Sequence, residues 1–114
     1  MSAEIQSISP SGHFQVLSEP WEPRMSLWVY PPQIVDTRTE ELLFKVSDQN
    51  WSMEHAQWET EETVRLGMRK YPGDRRPNGL VITINCTRRT AEIEGRSFPL
   101  SHAESELEAA LGLR

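Results

Sequence analysis

The chain has 114 residues, of which 37% are hydrophobic and 25% charged, and its formal net charge is -5. This length suits one domain with its own apolar core, and the absence of any run of about 18 apolar residues excludes a membrane-spanning helix. The acidic balance disfavours nucleic acid as a partner, because such modules are typically basic. The single cysteine excludes an internal disulfide, and the amino end lacks the pattern of a signal peptide, so we expect a cytoplasmic protein.

Residues 1–12 are polar, rich in serine and without a sustained hydrophobic period. They predict a loose tail before a single β-rich domain over residues 13–114. Alternating apolar and polar side chains then predict strands in HFQVL, SLWVY, QIVD and ELLFKV, and prolines end the first two because proline lacks a backbone donor. In ELLFKV we expect Leu42, Phe44 and Val46 to lie on one face and Leu43 and Lys45 on the other.

The second half of the chain predicts a meander of antiparallel strands. A tryptophan-bracketed turn from Trp51 to Trp58 leads into TVRLGMRKY, and LVITINC and TAEIEG follow with regular alternation. Helical spacing over residues 102–111 predicts one helix, with Ser101 and Glu104 as its capping box and Gly112 at its end. We therefore predict an α+β fold, mainly an antiparallel sheet of about six or seven strands with one carboxy-terminal helix; an all-β sandwich with an appended helix is the alternative.

Two turns and a recurring tryptophan resemble the repeats of β-propeller blades over residues 8–70. SPSG at residues 9–12 precedes a strand, VDTRTEELLF at residues 35–44 joins two others, and WSMEHAQW supplies tryptophans. Glu40 stands where those repeats usually have glycine, and the chain holds at most about two blades, too few for a closed ring. The resemblance implies a run of up-and-down antiparallel strands. RKYPG at residues 69–73, together with the tryptophans, is similar to small bacterial proteins of unknown function, and this likeness implies no activity.

The sequence lacks the motifs of common catalytic and metal sites. It contains no phosphate loop, dinucleotide fingerprint or nucleophile elbow, and His13, His55 and His102 do not have the spacing of metal ligands. Cys86 lies on the apolar side of its strand, which predicts a buried and unreactive thiol. We predict no catalytic residue, no metal site and no cofactor. If a pocket lies between the sheet and the helix, Glu54 and His55 are its best polar candidates.

Charge is unevenly distributed along the chain. Residues 65–96 contain eight basic and three acidic side chains, a balance of +5, whereas the other residues contain four basic and fourteen acidic side chains, a balance of -10. Cross-strand pairing is expected to let Glu92 and Glu94 partly neutralise Arg65 and Arg69. The remaining basic residues lie mostly in turns, where they are available to a partner.

Aromatic and arginine side chains predict where a partner binds. Trp21 lies in the proline-stiffened loop EPWEP, which either presents the indole to a partner or folds it back over the sheet. Trp28, Trp51 and Trp58 are expected to pack in the core. The predicted partner-binding residues are Trp21, Arg69, Tyr71, Arg75 and Arg76.

These observations predict a non-catalytic protein-interaction module of the bacterial cytosol, of the adaptor, chaperone or toxin-neutralising type. The alternative is a small-molecule-binding or enzymatic domain with a pocket between sheet and helix. The expected partner is a protein, and a homodimer through an unpaired sheet edge, in HFQVL or AEIEG, is a further possibility. Nucleic acid and membrane are disfavoured as partners.

Overall fold

The computed structural model describes residues 3–24, 27–71 and 79–112. Within them the prediction of an α+β fold with one carboxy-terminal helix is confirmed. The strands outnumber the predicted six or seven because segments interpreted as tail, loop or turn also pair. In chain order the elements are β1 (Glu4–Ile8), β2 (Phe14–Ser18), β3 (Trp21–Arg24), β4 (Leu27–Val29), β5 (Pro32–Asp36), β6 (Glu41–Lys45), β7 (Trp51–Trp58), β8 (Thr63–Lys70), β9 (Leu80–Asn85), β10 (Thr90–Ile93), β11 (Arg96–Pro99), a 3₁₀ turn (Leu100–His102) and α1 (Ala103–Leu111).

A five-stranded antiparallel sheet with the order β11-β10-β9-β8-β7 confirms the predicted meander. Val64 of β8 faces Ile84 of β9, and Leu66 faces Ile82, so the apolar side of the alternation forms one buried face. The segment interpreted as a tryptophan-bracketed turn is the eight-residue strand β7, which pairs with β8 from end to end. A β-bulge at Glu54 interrupts this pairing.

A four-stranded antiparallel sheet has the order β1-β2-β5-β6, and its inner face packs against the meander. Phe14 and Val16 of β2 and Ile34 of β5 are buried between the two sheets. Apolar side chains from both sheets and from α1 form one core, so one hydrophobic interior stabilises the whole described fold.

The two-stranded ribbon of β3 and β4 is inserted between β2 and β5. Its Val29 is buried, which leaves the neighbouring Trp28 on the opposite side of the strand and 50% exposed. The expectation that Trp28 packs in the core is therefore wrong. Core packing is confirmed for Trp51, which is fully buried, and for Trp58, which is half-buried against the ring of Phe14.

The helix α1 buries Ala103 and Leu107 in the core and ends at Gly112, whose φ of 85° confirms the predicted stop. The predicted capping box is wrong, because His102 occupies the N-cap position without a side-chain cap. Glu104 instead turns its carboxylate to the connection between β6 and β7. None of the helices in residues 3–24, 27–71 and 79–112 is long and apolar enough to cross a membrane.

Two further expectations are wrong. Part of the segment interpreted as a loose tail forms β1, because the turn at residues 9–12 closes a hairpin in which the Ser9 N–H donates to the Phe14 carbonyl oxygen at 2.9 Å. The runs proposed as free edges for a homodimer are both interior: β2 lies between β1 and β5, and β10 lies between β9 and β11. Their backbone donors and acceptors are occupied on both sides.

Candidate interaction surface

The structure brings two predicted partner-binding residues to consecutive positions of the β6–β7 connection. The Trp21 indole N–H donates to the Gln49 carbonyl oxygen at 2.8 Å, and the Tyr71 backbone N–H donates to the Asn50 carbonyl oxygen at 2.8 Å. Trp21 is half-buried, so of the two alternatives left open by the sequence it folds back onto its own chain. The predicted residues Arg75 and Arg76 lie outside the described residues.

Ion pairs within the chain engage the arginines of β8. Arg69 Nε lies 2.8 Å from Oε2 of Glu54, and Arg65 Nη1 lies 3.3 Å from Oε2 of Glu59. The predicted neutralisation of these two arginines by Glu92 and Glu94 is wrong, because β9 separates β8 from β10. The third predicted partner-binding residue, Arg69, is thus placed beside the start of β7 but already has an acidic neighbour.

The outer face of the four-stranded sheet is unusually apolar for a face that points away from the core. Among the described residues, four large apolar side chains are at least half exposed: Ile5 at 53%, Ile8 at 51%, and Trp28 and Leu42 at 50% each. All but Trp28 lie on this outer face. Cross-strand pairing defines the face as two rows, with Ile8, Gln15, Val35 and Leu42 in one and Ile5, Leu17, Gln33 and Lys45 in the other.

Two β-bulges place apolar side chains on this outer face. Ile5 and Ile8 are three residues apart and would point to opposite sides of a regular strand, but the extra residue Gln6 returns both to the same side. A bulge at Leu43 in β6 likewise puts Leu42 outside while Phe44 stays buried. The expectation that Leu42 lies on the same face as Phe44 is therefore wrong.

Two carboxylates flank the outer face. Glu19 follows β2 and Glu40 lies in the turn between β5 and β6; both are exposed. Glu4 is also exposed, but it pairs with the buried Ser18 and therefore points to the inner side of the sheet. Within the described part of the chain neither Glu19 nor Glu40 has an ion-pair partner, and neither does Lys45, the basic member of the face. Two negative charges against one positive charge give this margin a net negative charge.

A half-buried cluster fastens α1 to the two sheets. Lys70 Nζ lies 2.6 Å from Oε2 of Glu108 and 3.0 Å from Oδ2 of Asp48, and the Trp51 indole N–H donates to Glu108 at 2.9 Å. Burial would lower the pKa of Lys70, but the hydrogen bonds to Glu108 and Asp48 outweigh burial and raise that pKa above its ordinary value. The ammonium is therefore a structural cation.

A second polar cluster joins the turn at residues 9–12 to the turn between β7 and β8. The Ser11 backbone N–H and the Ser9 hydroxyl donate to Glu61 at 2.6 and 3.0 Å, the Ser11 hydroxyl also donates to it, and His13 Nδ1 lies 3.7 Å away. The hydrogen bond from the Ser11 hydroxyl is the largest cause of a lowered pKa at Glu61. The Glu61 carboxylate accepts these hydrogen bonds, and its lowered pKa makes it a weaker base than an ordinary glutamate.

A cavity of about 390 Å³ lies between β1, β7 and Tyr30, the residue that follows β4. It contains Glu54 and His55, and the His55 ring covers Gly67 so closely that an added Cβ would lie 2.2 Å from Cε1. The expected pocket between sheet and helix is a smaller depression of about 180 Å³ that contains neither residue. Its lining residues are Leu43, Phe44, Lys45, Leu100, Ser101 and Glu104.

The remaining reactive group, the Cys86 thiol, is buried as predicted. Burial is the main cause that raises the pKa of Cys86 to about 12, and the nearby charges of Glu62 and Asp36 act in the same direction. A thiol with such a pKa carries almost no thiolate at neutral pH. No group of three or more histidine, cysteine or acidic residues placed to hold a metal ion occurs over residues 3–24, 27–71 and 79–112.

Comparison of the chain with models of protein families, with curated proteins and with solved structures gives no match.

Proposed function

We propose that the protein is a non-catalytic protein-interaction module of the bacterial cytosol, of the adaptor, chaperone or toxin-neutralising type. The observation that carries this proposal is the outer face of the four-stranded sheet, where Ile5, Ile8 and Leu42 are each about half exposed. Leu17 pairs with Ile5 and Val35 pairs with Leu42, so apolar side chains extend across this face. Apolar side chains grouped on a surface mark sites of interaction, because water is the less favourable neighbour.

The energy available at this face supports an anchoring role. Fully burying an isoleucine or leucine side chain contributes about 1.5–3 kcal/mol, so covering the exposed half of three such side chains contributes about 3 kcal/mol in all. That gain drives association only if flanking polar and charged contacts add to it. In this proposal the region around Trp21, Arg69 and Tyr71 is a second and smaller contact surface.

An affinity capture with matched variants tests the proposal. The tagged protein, the double variant Ile8→Gln with Leu42→Gln, and the control variant Trp28→Gln are each incubated with a nuclease-treated native extract of the source cells. Trp28 has the same exposure as Leu42 but lies off the outer face, which makes it a matched control. We expect one protein in near-stoichiometric amount with the parent and the control and about tenfold less with the double variant.

Two results would contradict the proposal. Equal retention by the parent and the double variant excludes the outer face as the binding surface, and retention that depends on nucleic acid identifies a different class of partner. Thermal unfolding of all three proteins is measured alongside, so that a loss of retention is compared at equal folded fraction.

A small-molecule site is the second candidate, and the cavity that contains Glu54 and His55 favours it. One of its two candidate polar groups already has a partner, since Glu54 forms an ion pair with Arg69. The test is a thermal-shift screen of metabolite classes against the protein and against His55→Ala. Stabilisation of the parent by one class, lost in the variant, favours a ligand site; the absence of any stabilisation excludes this candidate at the concentrations screened.

A further inference from the structure

We infer that the outer face of the four-stranded sheet receives an amphipathic helix of a partner protein, whose apolar stripe is flanked by lysine or arginine. This inference rests on the proposed function and adds the chemistry of the partner. It follows from three observations: the charge around the face, the dimensions of the apolar rows, and the interrupted edges of the sheet.

Charge complementarity selects a basic partner. The exposed carboxylates of Glu19 and Glu40 have no ion-pair partner among the residues that the structure describes, whereas Asp36 and Glu41 of the same sheet pair with arginines. Carboxylates left free around an apolar face favour positive charge on whatever covers it and repel a negatively charged surface. The same margin opposes a second copy of this chain, because two identical faces would bring like charges together.

The dimensions of the face fit one helix. Four strands at a spacing of about 4.8 Å make each row about 14 Å wide, and three turns of helix at a pitch of about 5.4 Å span about 16 Å. The rows lie about 7 Å apart, within the diameter of about 10 Å of a helix. Each of the four strands has five residues, which at about 3.4 Å per residue gives the face a size of about 14 by 17 Å. This area is far below the roughly 800 Å² that each partner buries in a standard protein interface, so it suits a single helix better than a homodimer.

Addition of a strand fits the structure less well than docking of a helix. The bulge at Gln6 interrupts the regular donors and acceptors of β1, and the bulge at Leu43 does so in β6, so both edges of this sheet are unsuited to a regular added strand. An apolar sheet face is covered in most folds by a helix or a second sheet. The described helix α1 does not cover the outer face, because it packs on β9 and β10.

Two synthetic peptides test the inference on the full chain. Both have 18 residues and the same leucine stripe at helical spacing; one has lysine on its polar face and the other glutamate. Fluorescence anisotropy at low and at moderate salt measures their affinities. We expect the lysine peptide to bind about tenfold more tightly at low salt, because attraction of lysine by Glu19 and Glu40 and their repulsion of glutamate add up to such a factor, and we expect the difference to shrink as salt rises.

A matched pair of charge variants separates the outer face from the net charge of the molecule. Glu19→Lys with Glu40→Lys reverses two charges beside the outer face, and Glu92→Lys with Glu94→Lys reverses two exposed charges of the other sheet. Both pairs change the net charge equally, and each includes one residue with positive φ, Glu40 at 60° and Glu94 at 51°. We expect only the first pair to reduce the preference for the lysine peptide.

Several outcomes overturn the inference. Equal affinity for both peptides, equal effects of the two charge variants, or a dimer in sedimentation velocity that Leu42→Gln abolishes each contradict a basic helical partner. If neither peptide binds but the captured protein still depends on Ile8 and Leu42, the inference fails and the proposed function stands. If the captured protein does not depend on these residues either, both fail.

Discussion

Replacing Glu104 tests how the helix is fastened to the sheets. The Glu104 carboxylate accepts hydrogen bonds from the Ser47 backbone N–H at 2.7 Å, the Ser47 hydroxyl at 2.9 Å and the Asp48 backbone N–H at 2.8 Å. Glu104→Ala removes the acceptor of all three and leaves two backbone donors of the β6–β7 connection to water. Glu106→Ala is the control, because Glu106 also lies in the first turn of α1 but makes one exposed ion pair, with Arg96 at 2.7 Å.

The expected loss follows from these contacts. A hydrogen bond within a protein contributes about 1 kcal/mol net, so Glu104→Ala should lower the free energy of unfolding by about 3 kcal/mol. The exposed pair of Glu106 contributes about 0.5 kcal/mol. Helix propensity and the interaction with the helix dipole change alike in both variants, so the difference between them is about 2.5 kcal/mol. For a chain of this length, with about 2.1 cal/mol/K of unfolding entropy per residue, that difference corresponds to about 10 °C in Tm.

Urea denaturation followed by tryptophan fluorescence and by far-ultraviolet circular dichroism measures both variants. Trp51 is fully buried beside α1, where its indole bonds to Glu108, so its fluorescence reports on the same junction. The slope of the free energy against urea should stay constant if both variants unfold in one step. A Glu104→Ala variant within about 0.5 kcal/mol of Glu106→Ala would refute the reasoning that these three hydrogen bonds hold the helix.

Three further predictions concern titration, burial and close packing. Hydrogen bonds from the Asn50 backbone N–H, the larger cause, and from the Lys70 ammonium lower the pKa of Asp48. The stabilisation that Asp48 contributes is therefore complete above its unfolded pKa and is lost as pH falls through its folded pKa. The advantage of the parent over Asp48→Asn in urea titrations should thus be constant above about pH 5 and shrink below about pH 4; an advantage that grows with acid would contradict this sign. Cys86 should react with a thiol reagent at pH 8 at least about a thousandfold more slowly in native protein than in urea, and similar rates would show that the thiol is accessible. Gly67→Ala should cost at most about 1 kcal/mol, because its Cβ meets only the far end of the exposed His55 side chain, which can turn away. His55→Ala should remove that cost in a double-mutant cycle, and additive effects would mean that the two residues do not clash.

The amino-acid sequence was sufficient for elements whose burial follows a local period. Leu80, Ile82 and Ile84 alternate in a strand with a buried face, and the predicted meander and the helix stop at Gly112 follow from similarly short patterns. Cys86 belongs to the same alternation, so its burial was also predictable. These features depend on residues close together in the chain, where the direction of each side chain is determined by the strand or helix that contains it.

The candidate interaction surface depended on the tertiary structure. One extra residue in β1 and one in β6 reverse the side from which the following side chains project, and no composition signal at Gln6 or Leu43 distinguishes a bulge from a regular strand. Ile5 and Ile8, three residues apart in a segment interpreted as a tail, gave no strand period that would have placed them on one face. Alternation predicts that two sides of a strand differ, but only pairing with a neighbouring strand decides which side a bulge leaves exposed.

Contacts between distant segments were equally beyond prediction from local patterns. Glu104 has the spacing of a capping residue, yet it binds Ser47 and Asp48 because packing of α1 on the core brings the β6–β7 connection within reach. Trp28 lies in the apolar run SLWVY and Trp51 follows the polar run SDQN, yet Trp28 is half exposed and Trp51 is fully buried. Local residue patterns establish where the chain alternates and where its helix ends. Packing between layers establishes which side of each strand is buried, because burial depends on the partner surface as well as on the residue.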